Sequence, residues 1–227
     1  MEPQRIVDGI YLLPFEIGQV YLWEWAENLT VIDTGMAGSA DAILAAIESI
    51  GRRPEDVREI VLTHSHVDHR GGAPELARRT GATVIAHRAD APVIEGRAPE
   101  PPPLLMDFER PIFEAVMPKV LPAEPVRVDR EVDDGDALAG GATVVGVPGH
   151  TAGSIAIHIP ALRALFSGDT LANVGTLMLG VFNVDRAEAI RSAKKQAELD
   201  VDVACFGHGD PIVGGAGLRL RALAASL

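Results

Sequence analysis

The chain opens on apolar positions at strand-like spacing. Arg5 to Leu13 runs apolar up to Pro14, Val20 to Trp25 alternates loosely, and Leu29 to Ile32 follows a short Ala26-Glu27-Asn28 turn. This pattern predicts strands joined by tight turns over residues 5–33. The period then becomes helical: Ser39 stands as an N-cap before Ala40 to Ile50, where Ile43, Leu44, Ile47 and Ile50 recur at helical spacing and stop at Gly51. Glu59-Ile60-Val61-Leu62 is a short β-type run that delivers Thr63-His64-Ser65-His66-Val67-Asp68-His69. Gly71-Gly72-Ala73-Pro74 opens a second helix ending near Gly81, and Ala82 to Ala86 forms another strand that stops at His87.

Residues 88–125 break the rhythm, with nine prolines around an apolar piece, Leu104 to Leu121, whose Leu105, Phe108, Ile112, Phe113, Val116, Met117 and Val120 fall at roughly helical intervals. This stretch reads as an insertion whose apolar stripe forms a lid, a dimer surface or core. The second half repeats the style of the first. It has strands at Thr143 to Val147, Ile155 to Ile159, Ala164 to Phe166 and Val203 to Phe206, and helices at Arg186 to Leu199 and Leu218 to Ala225. Two strand-rich halves with helices between predict the α/β class, as a four-layer αββα sandwich with two mixed sheets face to face and helices outside. A single domain over 1–227, carrying the insertion at about 88–125, is the expectation for this length.

Composition narrows the partners. With 20 basic and 32 acidic side chains the net charge is −12, and such a field repels nucleic-acid phosphates and anionic lipid heads. A small-molecule substrate is expected, with no nucleic acid and no membrane. One cysteine, Cys205, excludes an internal disulfide and any multi-cysteine zinc module; set in an apolar run, it reads as core. No run approaches the roughly 18 apolar residues of a membrane span, and Met1-Glu2-Pro3-Gln4-Arg5 lacks a signal-peptide core, so the expected location is the cytoplasm.

The chemistry concentrates just after apolar β-type runs. His64, His66, Asp68 and His69 follow Ile60-Val61-Leu62; His150 follows Val144 to Gly149; Asp169 follows Leu165-Phe166-Ser167-Gly168; His208 follows Val203 to Gly207. Loops at strand ends hold side chains in fixed geometry. Imidazole and carboxylate suit Zn²⁺ and related first-row ions, and these seven groups, eight with Asp33, exceed what one tetrahedral ion takes. Two ions follow. His87, ending a strand, reads as a structural histidine, His158 faces away from the isoleucines of its strand, and Arg70 is an exposed charge or a contact for an anionic substrate group.

His64-x-His66-x-Asp68-His69, with Gly149-His150-Thr151, Gly168-Asp169-Thr170, Gly207-His208-Gly209 and the earlier Ile32-Asp33-Thr34-Gly35, resembles the metallo-β-lactamase superfamily of αββα hydrolases. By that resemblance His64, His66 and His150 hold one ion, Asp68, His69 and His208 a second, Asp169 bridges both, and Asp33 orients a ligand. Asp68 and Asp169 are then also the catalytic carboxylates. Two divalent ions, Zn²⁺ first with Fe or Mn as alternatives, supply a bridging hydroxide that attacks the carbonyl of an ester, thioester, lactone or lactam.

Subtraction narrows the family. Asp169 stands where some β-lactamases have a cysteine. Glyoxalase II enzymes add a C-terminal helical domain, and this chain ends nineteen residues after His208. Lactonases of this family use a tyrosine in the later half, whereas Tyr11 and Tyr21 both lie early. Flavodiiron proteins have a glutamate at the position of His66 and add a flavodoxin domain, and RNase Z-type nucleases add a basic arm. A small single-domain hydrolase remains. The alternatives are a mononuclear iron protein of the persulfide dioxygenase type, or a non-catalytic binding protein. A homodimer through residues 104–121 is a further expectation.

Overall fold

The computed structural model describes residues 2–227; Met1, where the stretch expected to lack a signal-peptide core begins, lies outside them. The chain divides into two compact units, one formed by residues up to Pro99 with Val120–Glu131, the other by Glu100–Lys119 with Val132–Leu227.

The first unit is built on a seven-stranded mixed sheet in the order β1 (Gln4–Val7), β2 (Ile10–Leu13), β3 (Val20–Trp25), β4 (Asn28–Ile32), β5 (Val57–Val61), β6 (Thr83–His87) and β7 (Arg130–Val132). β1 to β4 form an antiparallel meander, while β4, β5 and β6 are parallel. Parallel neighbours need crossovers, here carrying α1 (Ala40–Ser49), α2 (Val67–Arg70) and α3 (Ala73–Thr80); α4 (Ala91–Ile94) follows β6. The single strand expected over 5–13 is a hairpin, because Gly9 at φ +75° turns the chain after Asp8. α1 buries Ile43, Leu44 and Ile47 as its spacing predicts, yet Ser39 makes no side-chain capping bond. These residues pack with Leu22, Val31, Ile60, Leu62 and Val84 into one apolar core.

The second unit has a five-stranded sheet in the order β14 (Ile212–Val213), β13 (Val203–Cys205), β10 (Ala164–Phe166), β9 (Ile155–Ile159), β8 (Thr143–Gly146), and a hairpin of β11 (Leu171–Val174) with β12 (Thr176–Leu179). β10 and β13 are parallel and the other pairs antiparallel. α6 (Arg186–Ala197) starts at Asp185, whose carboxylate accepts from Glu188 N at 2.9 Å. Its Ala189, Ala193 and Ala197 pack with Val147, Phe206 and Leu220 of α7 (Ala216–Ser226). The β11–β12 hairpin was not anticipated; its sequence signal is Gly175, at φ +74°, between two short apolar runs.

Helical spacing over Leu104 to Leu121 yields only α5 (Arg110–Val116), with Pro111 in its first turn, and a 3₁₀ turn at Met117–Lys119 that contains Pro118. No residue of α5 is buried, and Leu104, Met106, Phe108, Ile112 and Met117 are exposed. The stripe is therefore not core. This segment is nevertheless fixed within its unit: Leu104 N donates to Asn183 O at 2.9 Å, Phe113 meets Phe182 edge to face at 5.2 Å, and Glu109 is buried. Among the described residues, no helix is long and apolar enough to cross a membrane.

Candidate metal centre

In the first unit five donors converge at the ends of β4 and β5. Asp33 leaves β4 at φ +57°, a left-handed conformation that Asp tolerates better than most residues. Its N–H still pairs with Val61 O at 2.9 Å, and the residue is 2% exposed. Asp33 Oδ1 accepts from Thr63 N at 2.7 Å, and Oδ2 accepts from Thr63 Oγ1 at 2.7 Å and from His69 Nδ1 at 2.8 Å. Thr63 Oγ1 also lies 2.9 Å from His64 Nδ1. His64 and His69 are buried, their ring centroids 4.2 Å apart, and His66 meets His64 edge-on at 4.8 Å. Asp33, His64 and His69 each offer a ligand atom within 4.8 Å of the others, and Asp68 Oδ2 lies 3.6 Å from His69 Nε2.

Backbone contacts lock this loop. Thr34 N and Oγ1 donate to His69 O at 2.6 and 2.9 Å, Ser65 N donates to Asp90 Oδ2 at 2.9 Å, and a Cβ on Gly18 would stand 2.1 Å from Asp68 O.

The second unit supplies His150, Asp169 and His208 from three loops, after β8, β10 and β13. Asp169 Oδ2 faces His208 Nε2 at 3.1 Å and His150 Nε2 at 3.7 Å, so one carboxylate oxygen serves two imidazoles. Here backbone contacts and small residues set the positions. Gly149 has φ +128° and a Cβ on it would meet Ala189 N at 2.2 Å; Gly180 lies so close that a Cβ would stand 1.8 Å from Asp169 O. Gly207 N donates to Gly168 O at 3.1 Å, joining the loops after β10 and β13, while Asn173 N of β11 holds His208 O at 3.1 Å and Val184 N holds His150 O at 3.3 Å.

Arg70 departs from expectation. It is buried, with Nε donating to Ser65 O at 2.7 Å and a terminal nitrogen to Glu124 O at 3.1 Å, so it braces the histidine loop instead of meeting solvent. His87 Nδ1 accepts from Ala89 N at 3.1 Å, as a structural histidine would. Cys205 is fully buried and burial pushes its thiol up, which makes it packing and not a nucleophile. Sequence reading passed over Thr63 and Asp90. The signal for Thr63 was its place immediately before His64; Asp90 had none, because its partner Ser65 is 25 residues away.

The family model of the metallo-beta-lactamase superfamily matches residues 14–208. The chain belongs to that superfamily. The fold agrees: the structure is similar to a metallo-beta-lactamase from Cronobacter sakazakii (TM-score 0.77, 24% identity, covering all of this chain and 94% of that one). It is also similar to BJP-1, a subclass B3 metallo-beta-lactamase of Bradyrhizobium japonicum (TM-score 0.72, 26% identity, covering 100% of this chain and 90% of that one). Among curated proteins, a hydroxyacylglutathione hydrolase of Fuscovulum blasticum is 34% identical over 176 residues, 76% of this chain and 55% of that protein. One of Cereibacter sphaeroides is 33% identical over 184 residues, 79% and 56% respectively. This metallo-β-lactamase superfamily chain thus spans just over half the length of the curated relatives it matches.

Proposed function

We propose that the protein is a metal-dependent hydrolase of carboxylic thioesters or related esters. In this reading His64, His66 and His150 hold one divalent cation, Asp68, His69 and His208 hold a second, and Asp169 contributes to both. The observation that carries it is the Asp169 carboxylate oxygen facing both His208 and His150, the arrangement of a shared ligand. The donors fit the group: they are imidazoles and carboxylates with no thiolate among them, a set suited to Zn²⁺, Fe or Mn. The thioester preference is supported by the two relatives named hydroxyacylglutathione hydrolase at 33–34% identity.

Two divalent cations bound by these residues would supply a hydroxide at neutral pH and polarise the scissile carbonyl. The chain's own residues do the rest. Among the proposed ligands the neutral imidazoles bring no charge, so only Asp68 and Asp169 would offset the cations directly, and the centre would keep a positive field for hydroxide and for the developing oxyanion. Asp68, part exposed at 16%, would take the proton released as the bound water becomes hydroxide and return it to the leaving thiolate or alkoxide. Phe108 of the exposed stripe, with its neighbours Leu104 and Met106, would give an acyl group an apolar wall: Leu104 N donates to Asn183 O, and the N–H of the next residue, Val184, donates to His150 O.

The test is elemental analysis of metal-saturated protein together with a panel of thioester, ester, lactone and β-lactam substrates. Two equivalents of divalent metal and thioester turnover that falls at least 100-fold in Asp68→Ala, with the circular dichroism spectrum unchanged, are expected. A single equivalent of iron with no hydrolysis would replace this reading with an oxidative one.

A further inference from the structure

We propose that Thr63 is a positioning residue: its hydroxyl relays the Asp33 carboxylate to His64, so that one carboxylate sets the tautomer of two imidazoles, His69 directly and His64 through Thr63. The inference deepens the metal-site reading above and rests on it for its purpose.

The number of available protons fixes both rings. Three donor atoms converge on Asp33: Thr63 N at 2.7 Å, Thr63 Oγ1 at 2.7 Å and His69 Nδ1 at 2.8 Å. A carboxylate accepts and does not donate, so His69 carries its proton on Nδ1 and the single hydroxyl proton of Thr63 points at Asp33. That hydroxyl then has only lone pairs to offer His64 Nδ1, 2.9 Å away. His64 therefore also carries its proton on Nδ1. The opposite orientation, Thr63 donating to His64, would leave two oxygens 2.7 Å apart with no proton between them. Both rings thus keep a lone pair on Nε2, the form a metal ligand requires. The relay is rigid because the Thr63 amide is held by the same carboxylate, and because Asp33, Thr63, His64 and His69 are each at most 2% exposed.

The order of atoms predicts a selective effect. Thr63→Val keeps the branched shape and removes the hydroxyl that faces His64 Nδ1, while His69 stays bonded to Asp33; Thr63→Ser restores the relay. Outer partners of ligating histidines are commonly worth about 10–100-fold in metal affinity. The experiment is long-range ¹H–¹⁵N correlation of the histidine rings in metal-free protein at about pH 8, above the ordinary imidazole pKa of about 6.5. It is paired with Zn²⁺ affinity by chelator competition.

Expected are Nδ1–H tautomers for His64 and His69 in the parent and in Thr63→Ser. In Thr63→Val, His64 alone should show mixed tautomers and Zn²⁺ affinity should fall by about 10–100-fold. The proposal is overturned if metal-free parent His64 carries its proton on Nε2, if Thr63→Val leaves His64 unchanged, or if His64 and His69 change together. The parent spectrum decides even if the valine variant does not fold. Parent protein that shows both Nδ1–H tautomers but takes up no Zn²⁺ would refute the metal-site reading and leave the relay standing.

Discussion

Both donor sets are held by backbone bonds and close-packed glycines, Gly18 in the first unit and Gly149 and Gly180 in the second, but in the first unit buried side chains also bond the imidazoles directly. In the first unit, four donors fall within six residues, His64 to His69, and are fixed by buried polar side chains: Asp33 and Thr63 on the rings, Asp90 on the loop backbone, Arg70 across it. In the second, His150, Asp169 and His208 come from three separate loops fixed by backbone bonds and by glycines too tightly packed for a Cβ. A polar network holds by direction and fails when one acceptor is lost. A glycine-lined packing holds by volume and fails when one carbon is added.

The largest expected effect breaks the first set. Asp33→Ala removes the acceptor of three buried donor atoms, at about 1–3 kcal/mol for each orphaned group. The total is a sizeable part of the roughly 5–15 kcal/mol that stabilises a typical domain. Urea unfolding should show a midpoint lowered by several kcal/mol in equivalent stability, with metal binding lost; a midpoint within 1 kcal/mol of the parent would mean the network is not what holds this loop.

Gly180→Ala sharpens the contrast from the other side. No buried donor is lost, but a Cβ at 1.8 Å from Asp169 O forces that loop to move. Destabilisation of about 1–3 kcal/mol is expected, together with a drop in metal occupancy and turnover larger than the stability change alone explains. Turnover equal to the parent would show that the Asp169 loop tolerates displacement.

The smallest effect lies away from both. Leu104→Ser with Phe108→Ser alters side chains that are 70% and 51% exposed, so stability should stay within about 0.5 kcal/mol per site. KM for long-chain acyl substrates should rise several-fold while KM for an acetyl ester holds. Conversion of a dimer to a monomer in sedimentation, with KM unchanged, would assign the stripe to self-association and remove it from the substrate wall.

Much of the molecule was legible in order along the chain. Most strand and helix positions of the first half follow from periodicity, and the candidate ligands were picked out by residue type after apolar runs, because a strand end is a local event that neighbouring residues encode. The superfamily was readable for the same reason: four of its donors sit in one heptapeptide. Gly9 and Gly175, which turn the β1–β2 and β11–β12 hairpins, were present in the sequence, but a glycine marks many kinds of bend, and only the folded chain shows that these two have positive φ and strands on either side.

What tertiary structure alone decided is which distant side chains meet. Arg70 is a charge that composition places in solvent, yet the fold supplies two carbonyls, one 54 residues away, that repay its burial. Asp90 bonds a loop 25 residues earlier, and Thr63, adjacent to His64 in sequence, acquires its role only because Asp33, 30 residues back, arrives within 2.7 Å. Local sequence encodes periodicity and donor chemistry; hydrogen bonds between residues far apart depend on where separate strands end, and that is set by the packing of the whole sheet.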